Sequence, residues 1–243
     1  MPRKILVLAA CCLTTLASAQ QMDILEGITF YEDEAIYLPV REIGSALDWS
    51  VRWDPESNDV ELHGKPVESN TRQMSDGTTL VPLKELEDRG LEITWDNERK
   101  LRKVRYNDQA FYVRDGQKRV VINKEEMSLS AWQGTRQVLS SPVTLGIEGH
   151  NTPTGIFEMQ GYRSQMHRSS IYNNAPMPWA FQVVGNIFIH GWKDVDPARG
   201  SHGCIRLPMS PENKARWMFY WIEKEVPISV LGKWPKGATG TGV

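Results

Sequence analysis

Short apolar runs bounded by Gly, Pro, Asn or Asp recur along this chain, and they predict many brief strands and few helices. Between residues 24 and 106 one pattern occurs twice. Tyr37-Leu38-Pro39-Val40-Arg41-Glu42-Ile43 leads to Trp53-Asp54, and Leu80-Val81-Pro82-Leu83-Lys84-Glu85-Leu86 leads to Trp95-Asp96. Each copy reads as a strand stopped by its proline, a short helix carrying the basic-acidic-apolar triplet, and a strand that reaches the Trp-Asp turn. Two copies are too few for a solenoid, so residues 24–106 predict a small α+β module. A polar stretch, 107–117, reads as a connector that lets this module fold separately. From 118 to 232 the pattern predicts a mainly β domain, with strand candidates at 119–122, 143–146, 155–159 and 186–190. Ser210-Pro211 signals one helix, running past Trp217 and Trp221 to about Lys224, before a last strand at 226–231. Residues 233–243 read as a flexible Gly/Thr tail.

Upstream of the repeat, Arg3 and Lys4 form a positive start, residues 5–17 an apolar run, and Ala17-Ser18-Ala19 a small-x-small cleavage site. Residues 1–19 therefore read as a signal peptide, and the mature chain is expected in the periplasm or cell envelope. The apolar run falls short of the ~20 residues that span a bilayer, and no later segment is long enough, so no transmembrane segment is expected after signal removal. Leu8-Ala9-Ala10-Cys11 also offers a lipoprotein-type cleavage box, which leaves lipidation of Cys11 as an alternative.

Composition narrows the function classes. With 243 residues, 40% hydrophobic and 24% charged, the chain has room for one or two cored domains. Its net charge is −2, and loss of the leader removes two cations and no acid. No nucleic acid is expected as a partner on bulk charge. Of three cysteines, Cys11 and Cys12 leave with the leader, so Cys204 is the single thiol of the mature chain. An unpaired cysteine in an oxidising compartment is buried, bridged to another molecule, or chemically used.

Its surroundings favour chemistry. His190-Gly191 stands at the end of a strand candidate, and Ser201-His202-Gly203-Cys204-Ile205-Arg206-Leu207 follows after an intervening loop. A Cys–His pair is the minimum nucleophile and base, because a free thiol is mostly protonated near neutral pH. His190, His202 and Cys204 together fall one ligand short of a closed zinc site, so neither metal nor cofactor is expected.

These residues resemble a family signature. His-Gly followed by Ser-His-Gly-Cys-apolar-Arg-apolar resembles the L,D-transpeptidase (YkuD-like) catalytic domain, a β-sandwich that remodels peptidoglycan with a cysteine nucleophile. Thr152-Pro153-Thr154-Gly155-Ile156-Phe157 and Met177-Pro178-Trp179-Ala180-Phe181 extend the likeness over about 118–232. Trp192 departs from it, standing where many members carry a small polar residue. The repeat module is similar to the copper amine oxidase N-terminal domain. That likeness brings no copper, since His63 is the module's only histidine and it has no cysteine.

The resemblance implies Cys204 as nucleophile, His190 as base oriented by the Gly191 carbonyl, and His202 and Gly203 at the oxyanion region. Arg206, Ser201, Trp179, Phe181 and Trp192 are the implied substrate-binding residues, while Arg163, His167 and Arg168 fall on a lid or a solvated loop. The implied partners are peptidoglycan stem peptides. The implied reaction joins a tetrapeptide stem to Cys204 as a thioester, releases the terminal D-alanine and passes the acyl group to an amine. The acceptor stays open between a second stem, a lysine of an outer-membrane lipoprotein, a free D-amino acid, and water; water would make the chain an L,D-carboxypeptidase or amidase. A non-catalytic wall-binding protein is a further alternative.

Overall fold

The computed structural model describes residues 22–57, 59–67, 72–147, 149–196 and 199–234. The leader with Cys11, and the tail from 235, lie outside the described residues.

The N-terminal part comprises β1 (Ile24–Phe30), β2 (Asp33–Pro39), α1 (Val40–Leu47), β3 (Val51–Trp53), β4 (Val60–Leu62), β5 (Lys65–Pro66) and β6 (Arg72–Gln73). It continues with β7 (Thr79–Pro82), α2 (Leu83–Asp88), β8 (Glu92–Asp96), β9 (Leu101–Tyr106) and β10 (Gln109–Asp115). Both repeat copies are strand–Pro–helix–strand units. Pro39 and Pro82 hold extended backbone, lack the N–H that would continue a ladder, and start the helices. In α1 the buried positions are Val40, Ile43, Gly44 and Leu47, the spacing of one helical face. Gly44 is required there, because a Cβ would lie 2.6 Å from a Val51 methyl and 2.9 Å from the Trp49 carbonyl. Asp54 and Asp96 each accept the backbone N–H groups two and three residues on, which shapes the two Trp-Asp turns alike.

The stretch expected to be a connector is instead part of this sheet. Strand order is β6-β7-β2-β1-β10-β9-β8, so β10 is an inner strand, and Phe111, Tyr112 and Val113 within it are buried. Polar flanks hid an apolar centre whose partner, parallel β1, lies over eighty residues earlier. The three short strands β3-β4-β5 form a separate sheet over α1.

The second part adds β11 (Lys118–Asn123), β12 (Ser128–Gln133), β13 (Arg136–Pro142), β14 (Gly155–Glu158), β15 (Arg163–Arg168), β16 (Pro176–Val184), β17 (Ile187–Trp192), β18 (Ile205–Pro208), α3 (Lys214–Trp221) and β19 (Pro227–Leu231). Two sheets, β13-β12-β11-β19-β14 and β15-β16-β17-β18, form the expected β-sandwich with one helix after the cysteine. Residues 143–146 make only isolated bridges, Thr144 to Arg206 and Gly146 to Ser201. The helix starts later than its serine and proline suggest, because the Asn213 side chain accepts the Arg216 N–H at 2.8 Å and caps it. It ends at Ile222, in extended backbone, rather than at Lys224.

The two parts share a core. Ile28, Phe30, Tyr37, Met74 and Leu80 of the module cluster with Val120, Leu129, Phe219 and Trp221 of the sandwich. Buried Gln133 accepts from the Thr29 N–H and the Trp221 indole, both at 3.2 Å, and donates to the Thr29 hydroxyl at 3.0 Å. The Trp217 indole donates to the Gln73 carbonyl at 2.8 Å, and Arg136 bridges to Glu42 at 2.6 Å. The expected separately folding module is thus corrected: its first strand supplies side chains to the sandwich core, an arrangement no local pattern encodes.

Candidate active site

Strand pairing assembles the site. Strands β17 and β18 run parallel with Ile189 opposite Ile205 and His190 opposite Arg206. Paired residues share a face and faces alternate. Ile189 and Ile205 accordingly enter the core, fully buried, while His190 and Arg206 turn to the other face. Cys204 stands immediately before β18, one pleat from Arg206 and on the same face. The thiol packs against Met177, Ala180 and Phe188 and is 8% exposed; His190 is 3% exposed.

His190 Nδ1 lies 2.9 Å from the Gly191 carbonyl oxygen. A carbonyl only accepts, so Nδ1 carries the proton and Nε2 keeps its lone pair. Gly191 has no room for a side chain, since a Cβ would come 2.8 Å from the Met209 sulfur. Burial is the main cause that pulls the imidazole pKa down to about 4, and the nearby Arg206 charge acts in the same direction. Burial likewise pushes the Cys204 thiol up, an effect partly opposed by a hydrogen bond from Phe188 and by Arg206. Both groups rest neutral near pH 7.

A web of short-range bonds holds the turn before the thiol. The Ser201 hydroxyl donates to the Cys204 carbonyl and accepts the Gly203 N–H at 3.1 Å. Ser201 N–H donates to the Leu145 carbonyl at 2.8 Å. Thr152, fully buried, donates its hydroxyl to the Gly203 carbonyl at 2.7 Å and accepts the Gly146 N–H at 2.9 Å. Buried Lys124 donates to the Thr152 carbonyl at 2.7 Å. Gly203 sits at φ 110, where a side chain is strained and a Cβ would also lie 2.7 Å from Ile187.

Arg206 lies with its guanidinium 4.1 Å from the centre of the Trp192 ring and donates to the Gly200 carbonyl at 3.4 Å. Its Nε is buried without a hydrogen-bond partner, and among the described residues no carboxylate forms an ion pair with it. The Trp192 ring in turn lies 6.0 Å from the His190 ring. The exposed His202 ring lies tilted against Tyr172 at 4.6 Å and edge-on to His150 at 4.9 Å. Among the described residues no three His, Cys, Asp or Glu side chains group as a metal site.

Cys204, His190, Gly191, Ser201, Gly203, Arg206 and Trp192 lie on the paired strands β17 and β18 or in the turn that leads into β18. Two implied substrate residues do not. Phe181 pairs with core-facing Ile189 and is fully buried in the sandwich. Trp179 packs on Phe219 and Tyr220 of α3, with ring centres 5.7 and 5.9 Å away. The left-handed backbone at Trp179, φ 56, breaks the alternation and presents Met177 and Ala180 to the thiol instead. Arg163 is no lid residue either: its guanidinium lies between Tyr31 and Phe219 and donates to the carbonyls of Phe219 and Ile222. His167 stacks on Phe188 at 4.8 Å, just behind the thiol's packing partner. Sequence reading missed Phe188 and Lys124. Strand alternation from His190 gives Phe188, but nothing local points to Lys124.

Residues 117–230 match the L,D-transpeptidase catalytic domain model, and residues 61–133 match the copper amine oxidase N-terminal domain model. Among solved structures, an L,D-transpeptidase (Yku) from Stackebrandtia nassauensis is 20% identical with a TM-score of 0.45. That match covers 49% of this chain and 57% of that one, so this chain spans little more than half of its relative's length. The LD transpeptidase LdtMt1 in complex with imipenem is 15% identical, with a TM-score of 0.42 and coverage of 88% and 96%. L,D-transpeptidase 1 from Mycobacterium tuberculosis is 18% identical, with a TM-score of 0.38 and coverage of 87% and 97%. No curated protein matches the chain. Among the described residues no helix is long and apolar enough to cross a membrane. The chain thus carries an L,D-transpeptidase catalytic-domain pattern over residues 117–230, joined to a copper amine oxidase N-terminal pattern over residues 61–133.

Proposed function

We propose that this chain is an exported peptidoglycan L,D-transpeptidase with Cys204 as nucleophile and His190 as base. The observation that carries the reading is the shared face of β17 and β18, where the strand register turns a buried thiol and a buried imidazole, the latter held by its own strand's carbonyl, to the same side. The Cys204 sulfur attacks the carbonyl of the third residue of a tetrapeptide stem, and its proton passes to His190 Nε2. The oxyanion is met by backbone N–H groups of the 202–204 turn other than that of Gly203, which donates to the Ser201 hydroxyl. When the carbon–nitrogen bond breaks, the imidazolium returns the proton to the departing D-alanine amine, leaving a thioester. An amine acceptor then attacks the thioester, gives a proton to His190, and the thiol is restored.

Arg206, an ion without an acid partner among the described residues, is matched to a stem carboxylate by its planar fork. The raised thiol and lowered imidazole support a proton transfer that accompanies attack rather than a standing ion pair. The leader at 1–19 supports an envelope location.

Incubation with purified tetrapeptide muropeptides, with and without an amine acceptor, followed by mass spectrometry, tests the reading. Loss of D-alanine with a joined product supports transfer to an amine; loss of D-alanine without joining moves the assignment to a carboxypeptidase. No change in the muropeptides overturns both. A carbapenem adduct on Cys204, absent from Cys204→Ala, is the expected companion result.

A further inference from the structure

Three clefts share lining residues in series. The first, about 990 Å³, lies in the module between α1, β3 and the β6–β7 turn. Trp49 forms part of its wall, Trp53 stands 57% exposed at its rim, and Arg41, Asp48 and Thr78 supply polar groups. The second, about 560 Å³, shares Asp76 with the first and runs over Ser140 and Glu126 to Lys214. The third, about 720 Å³, shares Pro142 and Lys214 with the second and reaches Lys193 and Asp194. Lys193 follows Trp192, whose ring lies under Arg206 and 6.0 Å from His190. The line of clefts thus begins on the repeat module and ends at Lys193, the residue after Trp192.

We infer that these clefts form one groove that binds a glycan strand of the wall, so that the module holds the polymer whose peptide stems enter the Cys204 site. The inference rests on the proposed transpeptidase reading and adds to it the polymer and the surface that takes it. Each cleft alone is the size of a small-molecule pocket, about 300–1,000 Å³, and their shared residues join them into a path suited to an extended chain. An exposed indole gives a flat apolar face at low entropic cost, which suits the C–H face of a sugar ring. Both signs line the path, with Asp48, Asp76, Glu126, Asp194, Asp196 and Glu212 set among Arg41, Lys193, Arg199 and Lys214. Mixed signs suit the amides of an N-acetylated sugar and the zwitterionic ends of its peptides, whereas a polyanion calls for a basic stripe.

The test uses the full mature chain and purified insoluble peptidoglycan as probe. Trp53→Ala is expected to raise the concentration for half-maximal co-sedimentation about tenfold, the loss typical of a truncated aromatic anchor, with Trp53→Phe recovering most of it. Asp76→Lys, in the second cleft, is expected to weaken co-sedimentation as well. Turnover of soluble tetrapeptide stems without glycan is expected to stay within about twofold of the unaltered chain, since neither residue touches the thiol face. Unchanged co-sedimentation of Trp53→Ala and Asp76→Lys overturns the inference, as does a failure of the unaltered chain to sediment. An equal loss on soluble stems also overturns it, because the groove would then act through the fold. If soluble stems are inert while sedimentation depends on Trp53, the transpeptidase reading fails and the groove stands.

Discussion

The module and the β17–β18 face of the sandwich treat their buried polar groups in opposite ways. In the module each buried charge is set against its opposite: Glu85 with Arg89, Glu26 with Arg114, and Asp33 with Arg72 and the Tyr37 hydroxyl. Hydrogen bonds and the facing guanidinium hold Asp33 and Glu26 below the usual carboxylate range even though burial acts against them. On the β17–β18 face, by contrast, a thiol and an imidazole are buried without an opposite charge and kept neutral, and a guanidinium lies over an indole. Paired charges fix shape, whereas neutral titratable groups beside a guanidinium without an acid partner among the described residues fit chemistry.

The strongest way to break that contrast is Cys204→Ala. It is expected to abolish D-alanine release while leaving the unfolding midpoint within a few degrees, because a small buried side chain is replaced by one slightly smaller. Calorimetry and an amino-acid release assay check both halves. Turnover near that of the unaltered chain would remove the thiol from the mechanism. His190→Ala is expected to slow thioester formation by about 10²–10⁴, the contribution of a positioned base.

On the module side, Glu85→Ala is expected to cost about 3–5 kcal/mol of stability with no direct change at the thiol. It strands Arg89, whose guanidinium donates to the carbonyls of Leu62 at 2.9 Å and Pro66 at 2.6 Å and is only 7% exposed. Denaturant titration measures it. A cost below 1 kcal/mol would mean that Arg89 keeps its place through those carbonyls alone.

The contrast also has a pH signature. Between about pH 4 and 6.5, an unfolded His190 binds a proton that the folded one refuses, so the unfolded state holds more protons and stability rises with pH across that window. The slope is up to one proton, about 1.4 kcal/mol per pH unit. His190→Asn is expected to flatten it, as read from unfolding titrations between pH 4 and 7. The smallest effect belongs to Glu42→Ala, about 0–1 kcal/mol, since its bridge to Arg136 is partly open to solvent. Glu42 and Glu85 hold the same place in the two repeat copies, so this pair of variants measures what tertiary setting alone adds.

That pair also marks how far a sequence can be read. The repeat, its proline-started helices and its Trp-Asp turns follow from residues a few positions apart, and the structure has them where the pattern puts them. The Cys204 turn with its serine and glycine was equally legible, because spacing within one segment fixes which groups can meet. Short-range pattern was enough to specify a β-rich chain with a lone thiol, a histidine one loop away, and a local turn holding that thiol. Long-range packing set which repeat glutamate joins the sandwich and that β10 closes the module against β1. It also decided that Phe181 and Trp179 serve packing while Met177, Ala180 and Phe188 meet the thiol. These outcomes depend on strand register and on partners up to a hundred residues away. A one-residue change of phase, such as the left-handed turn at Trp179, reverses which side chains face the site without altering the composition of the strand.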